Sequence, residues 1–264
     1  VYPVISRRAG GLSIGINFNT NNACNWRCIY CQVPDLSIGS APDIELSRLE
    51  DELYFLLQEI LHGDFYERFE VPASQRIIKD VAISGNGEPT SLKNFDLAVS
   101  LIGRVIDEAG FPEDIEYVLI TNGSLVHQRK VQLGLKRLND FQGQIWFKMD
   151  SATKAGLKLF NNAAISLENH EANLMTAAKL CSTWLQTCLL DYEGRGFPDV
   201  ERQAYLDLLC RVLEKVDLKG VLLYTIARPS LQPEAVRLSK LPADIMREFA
   251  QEIRALGVEV KVSV

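Results

Sequence analysis

The chain has 264 residues, of which 47% are hydrophobic and 23% are charged, and its mean hydropathy is zero. These values exclude a disordered protein and predict one large globular domain over residues 1–264. The formal net charge of −6 argues against a long nucleic-acid footprint, which needs many cationic side chains. The sequence shows no membrane-spanning apolar run and no signal peptide, so we expect a cytoplasmic protein without a membrane partner.

The first predicted unit consists of a strand, a loop and a helix. Residues 12–19 alternate apolar with polar or small residues, which is typical of a strand. Residues 44–61 have apolar residues at the spacing of an amphipathic helix, and Gly63 stands where a C-terminal cap belongs. The segment between them carries three cysteines, so we expect these to lie in a loop at the carboxyl end of the first strand.

The alternation of strand and helix continues to the end of the chain. Further strands are predicted over residues 81–84, 117–120, 145–147, 184–190, 221–226 and 258–264. Further helices are predicted over residues 95–109, 125–138, 167–180, 200–216 and 243–256. Short apolar strands that alternate with helices predict an α/β fold of parallel strands joined by right-handed crossovers. The pattern alone fits an incomplete barrel of six units or a flat doubly wound sheet.

Cys24, Cys28 and Cys31 form a CxxxCxxC motif, the densest group of soft metal ligands in the chain. Three thiolates are one fewer than a closed iron–sulfur cluster normally takes, so one iron would stay open to a ligand. A structural zinc site is normally closed by four protein ligands, and a fourth would have to come from a distant Cys or His. An inert thiol loop is the remaining alternative. Six cysteines with three clustered fit a reducing compartment better than a disulfide framework.

Several further motifs accompany the cysteines in order along the chain. They are Ser-Arg-Arg at 6–8, the segment 12–19, Ser-Gly-Asn-Gly-Glu-Pro-Thr at 84–90, Lys-Met-Asp-Ser at 148–151, Gln-Thr at 186–187 and Tyr-Thr-Ile-Ala-Arg-Pro-Ser at 224–230. Together with a CxxxCxxC loop that has Tyr30 just before its last Cys, they resemble the radical S-adenosylmethionine (SAM) superfamily. The resemblance is to the Fe–S oxidoreductases related to wyosine-base formation. It implies a partial (βα)6 barrel with parallel strands.

The resemblance also implies the cofactors and their chemistry. Cys24, Cys28 and Cys31 would hold a [4Fe–4S] cluster whose open iron binds SAM. The reduced cluster would split SAM into methionine and a 5′-deoxyadenosyl radical, which abstracts hydrogen from a substrate. A reductant such as flavodoxin or ferredoxin would supply the electron. The protein's part is ligation, orientation and a dry cavity.

Two loops at strand ends are predicted to bind SAM. The resemblance gives Gly85, Asn86, Gly87 and Glu88 the role of binding the amino group of SAM through backbone carbonyls and a carboxylate. Their glycines allow a sharp turn, and a tight turn ahead of a helix would explain them as well. Thr121 and Asn122 resemble a second SAM-contacting edge, for which a helix-capping turn is the alternative.

Five more side chains complete the predicted site. Lys148 and Asp150 are the predicted catalytic residues: strand geometry points them the same way, and buried charges need a partner or ligand. Asp150 and Ser151, within the motif at 148–151, and Gln186 are also predicted to bind SAM; for Gln186 the reason is that an amide on an apolar strand requires a partner. Tyr30 would lie against the adenine, unless it only packs the loop.

The substrate is predicted by what the sequence lacks. Wyosine-forming relatives carry additional cysteines before the cluster loop, and residues 1–23 contain none. A small anionic molecule or a peptide is therefore favoured over tRNA, with a glycyl-radical activating enzyme as a second alternative. A non-enzymatic Fe–S electron carrier or iron sensor would leave the strand-end motifs unexplained. Arg7, Arg8 and Arg228 are candidates to hold a carboxylate or phosphate, and for Arg228 an exposed salt bridge is the alternative.

Overall fold

The computed structural model describes residues 1–6, 11–111 and 115–264, so the predicted role of Arg7 and Arg8 lies outside the described residues. The strands are β1 (Tyr2–Ser6), β2 (Gly11–Ile16), β3 (Ala23–Cys24), β4 (Ser37–Ile38), β5 (Ile78–Ile83), β6 (Glu116–Thr121), β7 (Gln144–Lys148), β8 (Ser182–Cys188), β9 (Leu190–Tyr192), β10 (Gly220–Tyr224), β11 (Leu238–Lys240) and β12 (Val260–Ser263). The α-helices are α1 (Leu46–His62), α2 (Phe65–Arg68), α3 (Phe95–Glu108), α4 (Arg129–Asp140), α5 (Lys154–Asn161), α6 (Leu167–Leu180), α7 (Asp199–Leu213) and α8 (Ala243–Ala255).

Eight strands form the central sheet in the order β1-β2-β5-β6-β7-β8-β10-β12. Every neighbouring pair is parallel except β1 with β2, which is antiparallel. The first and last strands do not pair, yet Tyr2 of β1 and Lys261 of β12 line the same cavity, so the sheet curls into an open barrel. The predicted α/β class and partial barrel are confirmed.

The hydrophobic core lies between the convex face of the sheet and the helices. Leu12, Ile14 and Ile16 of β2 are buried in this core, whereas Ser13 and Gly15 line the concave cavity. This is the period-two alternation of a strand. The helices bury one stripe each; in α8 it comprises Met246, Phe249, Ala250 and Ile253. None of the described helices is long and apolar enough to cross a lipid bilayer.

Helix α4 begins at Arg129, so the predicted helical start at residue 125 was wrong. The preceding residues form turns in which the backbone N–H of Gln128 donates to the carbonyl of Leu125 (2.9 Å). The side-chain amide of Asn173 donates to the carbonyls of Gly123 and Ser124 at 2.9 and 3.2 Å. These carbonyls are therefore satisfied without a helix, and the apolar residues at 125 and 126 pack in the turn.

Some elements were not predicted. They include strand β1, helix α5, and β9, which leaves the barrel sheet to pair with β11 in an antiparallel ribbon. The predicted strand 184–190 is therefore two strands, broken at Leu189, whose N–H donates to the carbonyl of Tyr224 (2.8 Å). Other predicted elements differ from the observed ones by a few residues at their ends.

Gly123 turns the chain after β6 and generates the first testable prediction. Its φ is +70°, and a Cβ there would lie 2.1 Å from the Phe147 ring. Gly110 has a similar φ of +69°, but a Cβ at Gly110 would meet no atom within 4 Å. We expect Gly123→Ala to lower the free energy of unfolding by about 2–4 kcal/mol and Gly110→Ala by about 1–2 kcal/mol. Urea denaturation would measure both, and equal losses would contradict the packing argument.

Candidate functional site

Most of the predicted site residues surround one cavity of about 580 Å³ at the carboxyl ends of the strands. Those that line it are Cys24, Cys28, Tyr30, Cys31, Gly85, Asn86, Gly87, Glu88, Asn122, Lys148 and Gln186. A larger cavity of about 950 Å³ fills the inside of the open barrel. Both cavities are lined by Tyr2, Ser84, Ile120, Tyr224 and Arg228, which therefore mark the passage between them.

The backbone of the cysteine loop is fastened to the end of helix α5. The N–H groups of Arg27 and Ile29 donate to the carbonyls of Asn161 (3.1 Å) and Phe160 (2.8 Å). These carbonyls lie in the last turn of the helix, where no intrahelical donor remains. Asn162 then adopts a left-handed conformation with φ 47° and donates its side-chain amide to the carbonyl of Arg27 (2.9 Å). The loop and the helix end therefore satisfy each other.

The segment after β10 fastens the other side of the same loop. The hydroxyl of Ser230 donates to the carbonyl of Ile29 (2.7 Å), and the N–H of Leu231 donates to that of Cys31 (2.9 Å). The guanidinium of Arg27 forms a two-pronged ion pair with Glu234, with both N–O distances at 2.7 Å. Two segments far apart in sequence thus define the path of the cysteines.

The surroundings of the cysteine thiols suit sulfur atoms that bind a metal. Burial raises the pKa of Cys24 to about 12 and that of Cys28 to about 11, so both thiols are protonated at neutral pH. Backbone N–H groups point at sulfur: Trp26 donates to Cys24 Sγ and Val33 to Cys31 Sγ, each at 3.5 Å. Such donors favour a sulfur that carries negative charge, as in a metal-bound thiolate.

Within the described ranges, no three or more His, Cys, Asp or Glu side chains are arranged to hold a single metal ion. A [4Fe–4S] cluster makes a different demand, because Cys thiolates ligate separate irons and need not meet at one point. Three thiols on one cavity wall, with N–H donors to sulfur, therefore fit a cluster held by three cysteines.

The loop containing Gly85 and Gly87 packs directly against the cysteine segment. A Cβ at Gly87 would lie 2.0 Å from the carbonyl oxygen of Ala23, and one at Gly85 would lie 2.3 Å from Asn17 Oδ1. Only glycine allows this approach. The N–H of Asn86 donates to Asn17 Oδ1 at 3.1 Å. The loop at 85–88 is therefore in contact with the cysteine segment, next to Cys24.

Glu88 fastens this loop to the end of β6. Its carboxylate is 1% exposed and accepts hydrogen bonds from the N–H and hydroxyl of Thr90, from the Thr121 hydroxyl and from the Asn122 N–H. Burial raises the pKa of Glu88. Four donors fill the acceptor positions of a carboxylate, so a ligand's amino group would have to be met by loop carbonyls instead. Thr121 lies behind Glu88 and does not line the cavity.

Lys148 and Asp150 form an ion pair beside the cysteines, in which Asp150 is buried and Lys148 is partly buried. Lys148 Nζ lies 3.8 Å from Asp150 Oδ2 and donates to the Tyr224 hydroxyl at 3.1 Å. Burial alone would lower the pKa of Lys148, but the Asp150 carboxylate raises it well above its usual value, so the ammonium stays charged. Asp150 also accepts from the Tyr30 hydroxyl and from the Cys188 N–H (2.8 Å). It stands behind Lys148 rather than on the cavity wall.

Gln186 lines the cavity, whereas Ser151 does not. Gln186 is 5% exposed and lines the cavity beside Lys148, and its side-chain amide has no hydrogen bond to any described residue. Buried polar groups are normally paired, so this amide fits a bound ligand. The Ser151 hydroxyl instead donates to Glu201 (2.6 Å), near the start of α5. Ser151 is therefore a predicted site residue that the structure keeps away from the cavity.

His170 supports the site and was not identified from the sequence. It is fully buried on α6, and its Nε2 donates to the carbonyl of Asn122 (3.0 Å). Its ring packs edge-on against Trp26 of the cysteine loop, with the ring centroids 5.3 Å apart. Its burial lowers the pKa of His170 to about 4, so the ring is neutral. An isolated histidine in a helical pattern gave no signal of this role.

Residues 18–204 match the family described as the Radical SAM superfamily, which is most of the chain. The chain therefore belongs to the radical SAM superfamily, whose members are enzymes, and the resemblance drawn from the motifs is confirmed at that level. The superfamily implies a [4Fe–4S] cluster and SAM.

Two curated relatives cover most of this chain. A protein named GTPase Obg from Brachyspira hyodysenteriae (strain ATCC 49526 / WA1) is 30% identical over 262 residues, which are 98% of this chain and 34% of that protein. A UPF0026 protein from Helicobacter pylori (strain J99 / ATCC 700824) is 29% identical over 230 residues, 86% of this chain and 66% of that one. The chain thus spans about a third and about two thirds of these relatives.

Solved structures show the same fold. TYW1 with a lysine-pyruvate adduct bound superposes with a TM-score of 0.61 at 17% identity, over 94% of this chain and 74% of that one. A radical SAM methyltransferase from Sphaerobacter thermophilus gives a TM-score of 0.65 at 14% identity, over 96% and 66%. At these identities the likeness establishes the fold.

His170 makes the free energy of unfolding depend on pH. The folded protein keeps the ring neutral down to about pH 4, whereas the unfolded chain binds a proton below about pH 6.5. The unfolded state therefore binds more protons in this window, and stability falls as the pH falls from 6.5 to 4, by about 3 kcal/mol. Urea denaturation of the cluster-free protein should show this loss in the wild type relative to His170→Gln. Parallel pH curves for the two proteins would refute the assignment.

Proposed function

We propose that this chain uses a [4Fe–4S] cluster on Cys24, Cys28 and Cys31 to cleave SAM reductively. When bound, the cluster and SAM supply a 5′-deoxyadenosyl radical that abstracts hydrogen from a substrate. The observation that carries the proposal is that three thiols and the unpartnered amide of Gln186 line one cavity at the strand ends. A reductant such as flavodoxin or ferredoxin would deliver the electron from outside.

The chain's own residues would orient SAM in this cavity. Carbonyls of the loop at Gly85 and Gly87 would accept from its amino group, since the Glu88 carboxylate is already occupied. The fixed ammonium of Lys148 favours a carboxylate nearby, and Gln186 offers a donor and an acceptor. Tyr30 is held by its hydrogen bond to Asp150, so its ring is a rigid wall for the adenine. In this arrangement Asp150 positions Lys148 and Tyr30.

The substrate would occupy the larger cavity inside the barrel. Among the described residues, the charged side chains that line it are Asp80, Glu116, Arg228 and Lys261. Arg228 stands at the passage between the cavities, and its guanidinium forms no ion pair with any described side chain. An unpaired guanidinium favours a substrate with a carboxylate or phosphate near the reacting atom. A small anionic molecule or a peptide therefore remains the favoured substrate, with wyosine-type tRNA modification and glycyl-radical activation as alternatives.

The cluster assignment predicts the iron content of cysteine variants. Anaerobically reconstituted wild type should bind about four irons, and Cys24→Ala, Cys28→Ala or Cys31→Ala should each abolish this, because each thiolate holds the cluster. Cys210→Ala, on the exposed face of α7, is the matched control and should retain full iron content. Stoichiometric zinc without charge-transfer absorption in the visible region would refute the cluster.

The SAM assignment predicts the behaviour of Gln186. Gln186→Leu should weaken SAM binding about tenfold while leaving iron content unchanged, because it removes only an amide that the protein leaves unpaired. Gln203→Leu, on the exposed face of α7, should bind SAM normally. Isothermal titration on the reconstituted protein measures the affinity, and chromatography after reduction with dithionite measures 5′-deoxyadenosine. Unchanged affinity in Gln186→Leu would remove this residue from the site.

The substrate preference predicts weak binding of nucleic acid. With a net charge of −6 we expect bulk tRNA to bind more weakly than about 10⁻⁶ M at physiological salt. A filter-binding titration across salt concentrations measures this. Sub-micromolar binding with a steep salt dependence would instead favour the tRNA alternative.

A further inference from the structure

The side-chain amide of Asn161 is buried and forms hydrogen bonds only as a donor. It is fully buried at the carboxyl end of α5, and its Nδ2 lies 3.3 Å from Cys28 Sγ and 2.6 Å from Asp150 Oδ2. Its Oδ1 has no hydrogen-bond partner among the described residues. A rotated amide would place that oxygen against a carboxylate and a sulfur, both acceptors, so the donor orientation is fixed by its surroundings.

The position of this amide is determined by both of its neighbours. The carbonyl of Asn161 accepts from the Arg27 N–H (3.1 Å), which ties the residue to the cysteine loop. Asp150 is itself held by the N–H of Cys188 and the hydroxyl of Tyr30, so it orients one amide hydrogen and leaves the other for Cys28. The N–H···S contact is therefore held from the cysteine loop and from the strand ends.

Cys28 differs from the other two thiols of the loop in this contact. Among the described residues, the sulfurs of Cys24 and Cys31 accept from backbone N–H groups at 3.5 Å, whereas the sulfur of Cys28 accepts from a side chain at the shorter distance of 3.3 Å. A backbone donor is common to any residue type at its position. A side-chain donor is a specific property of Asn161.

We propose that Asn161 is a positioning residue that raises the reduction potential of the cluster through its hydrogen bond to Cys28. The inference rests on the proposed cluster at Cys24, Cys28 and Cys31. Reduction places more negative charge on the cluster and its thiolates, and an N–H donor in a dry environment stabilises that charge more in the reduced form than in the oxidised form. Leaving Oδ1 without a partner lowers the stability of the fold, and the same arrangement holds the donor in place.

The test compares two neighbouring asparagines that both hold the same loop. Asn161→Leu has a similar volume but donates to neither sulfur nor Asp150. Asn162→Gly keeps the left-handed backbone and loses only the hydrogen bond to the Arg27 carbonyl. The midpoint potential of each reconstituted protein is measured by redox titration with electron paramagnetic resonance, alongside iron content and the thermal unfolding midpoint.

At the midpoint potential of the wild type, Asn161→Leu should show about a tenfold lower ratio of reduced to oxidised cluster, a shift of about 59 mV for one electron. Asn162→Gly should titrate as the wild type. A wild-type potential in Asn161→Leu, or an equal shift in Asn162→Gly, would overturn the proposal. If the wild type forms no cluster at all, the proposed function fails with it.

A second measurement has one outcome that is independent of the folding of the Leu variant. In the wild type, the iron–sulfur stretching bands of the resonance Raman spectrum should shift after exchange into D₂O, because the Asn161 amide protons exchange together with the backbone N–H protons at Cys24 and Cys31. The part of the shift that Asn161→Leu loses is the part due to Asn161. Asn162→Gly should show the same shift, and Asn161→Leu, where it folds, a smaller one. Spectra of the wild type that are identical in H₂O and D₂O would also overturn the proposal.

Discussion

The mutual capping of the cysteine loop and helix α5 is the interaction on which the site depends. A loop without regular structure leaves N–H groups unpaired, and a helix end leaves carbonyls unpaired, and each is costly when buried. Here the N–H groups of Arg27 and Ile29 meet the carbonyls of Asn161 and Phe160, so one contact removes both costs. The helix has to end at this point for the loop to hold its shape, and the left-handed Asn162 ends it.

This contact fixes the position of the cysteines relative to the barrel. Helix α5 starts beside the end of β7, where Glu201 binds the hydroxyls of Ser151 and Thr153, so its first turn is fixed to α7. Its last turn then carries Asn161 to the sulfur of Cys28. Ser151, which the motif resemblance assigned to the cofactor, therefore supports the position of α5 through Glu201 and does not line the cavity.

The sequence predicts the barrel well because burial on one face of each strand imposes a period that is visible in the residues. Strand and helix positions from 44 onward agree with the structure to within a few residues, with the exceptions of α2, α4, α5 and the β9–β11 ribbon. The cavity residues are predicted mainly because they follow strands as motifs. Asn161, His170 and Glu234 are not predicted, because each acts through a single contact between segments distant in sequence. Pairings of that kind leave no periodic pattern.

The unpaired edges of the sheet have a consequence for the size of the substrate. In the described part of the chain, β1 and β12 each pair on one side only, although both border the barrel cavity. Strand pairing between β1 and β12 therefore does not close the wall of the barrel. Under the proposed function, a gap at this edge would let a reacting group enter the interior while the rest of the substrate stays outside. The volume of the interior would then limit the reacting group, and the width of the gap would limit what that group is attached to.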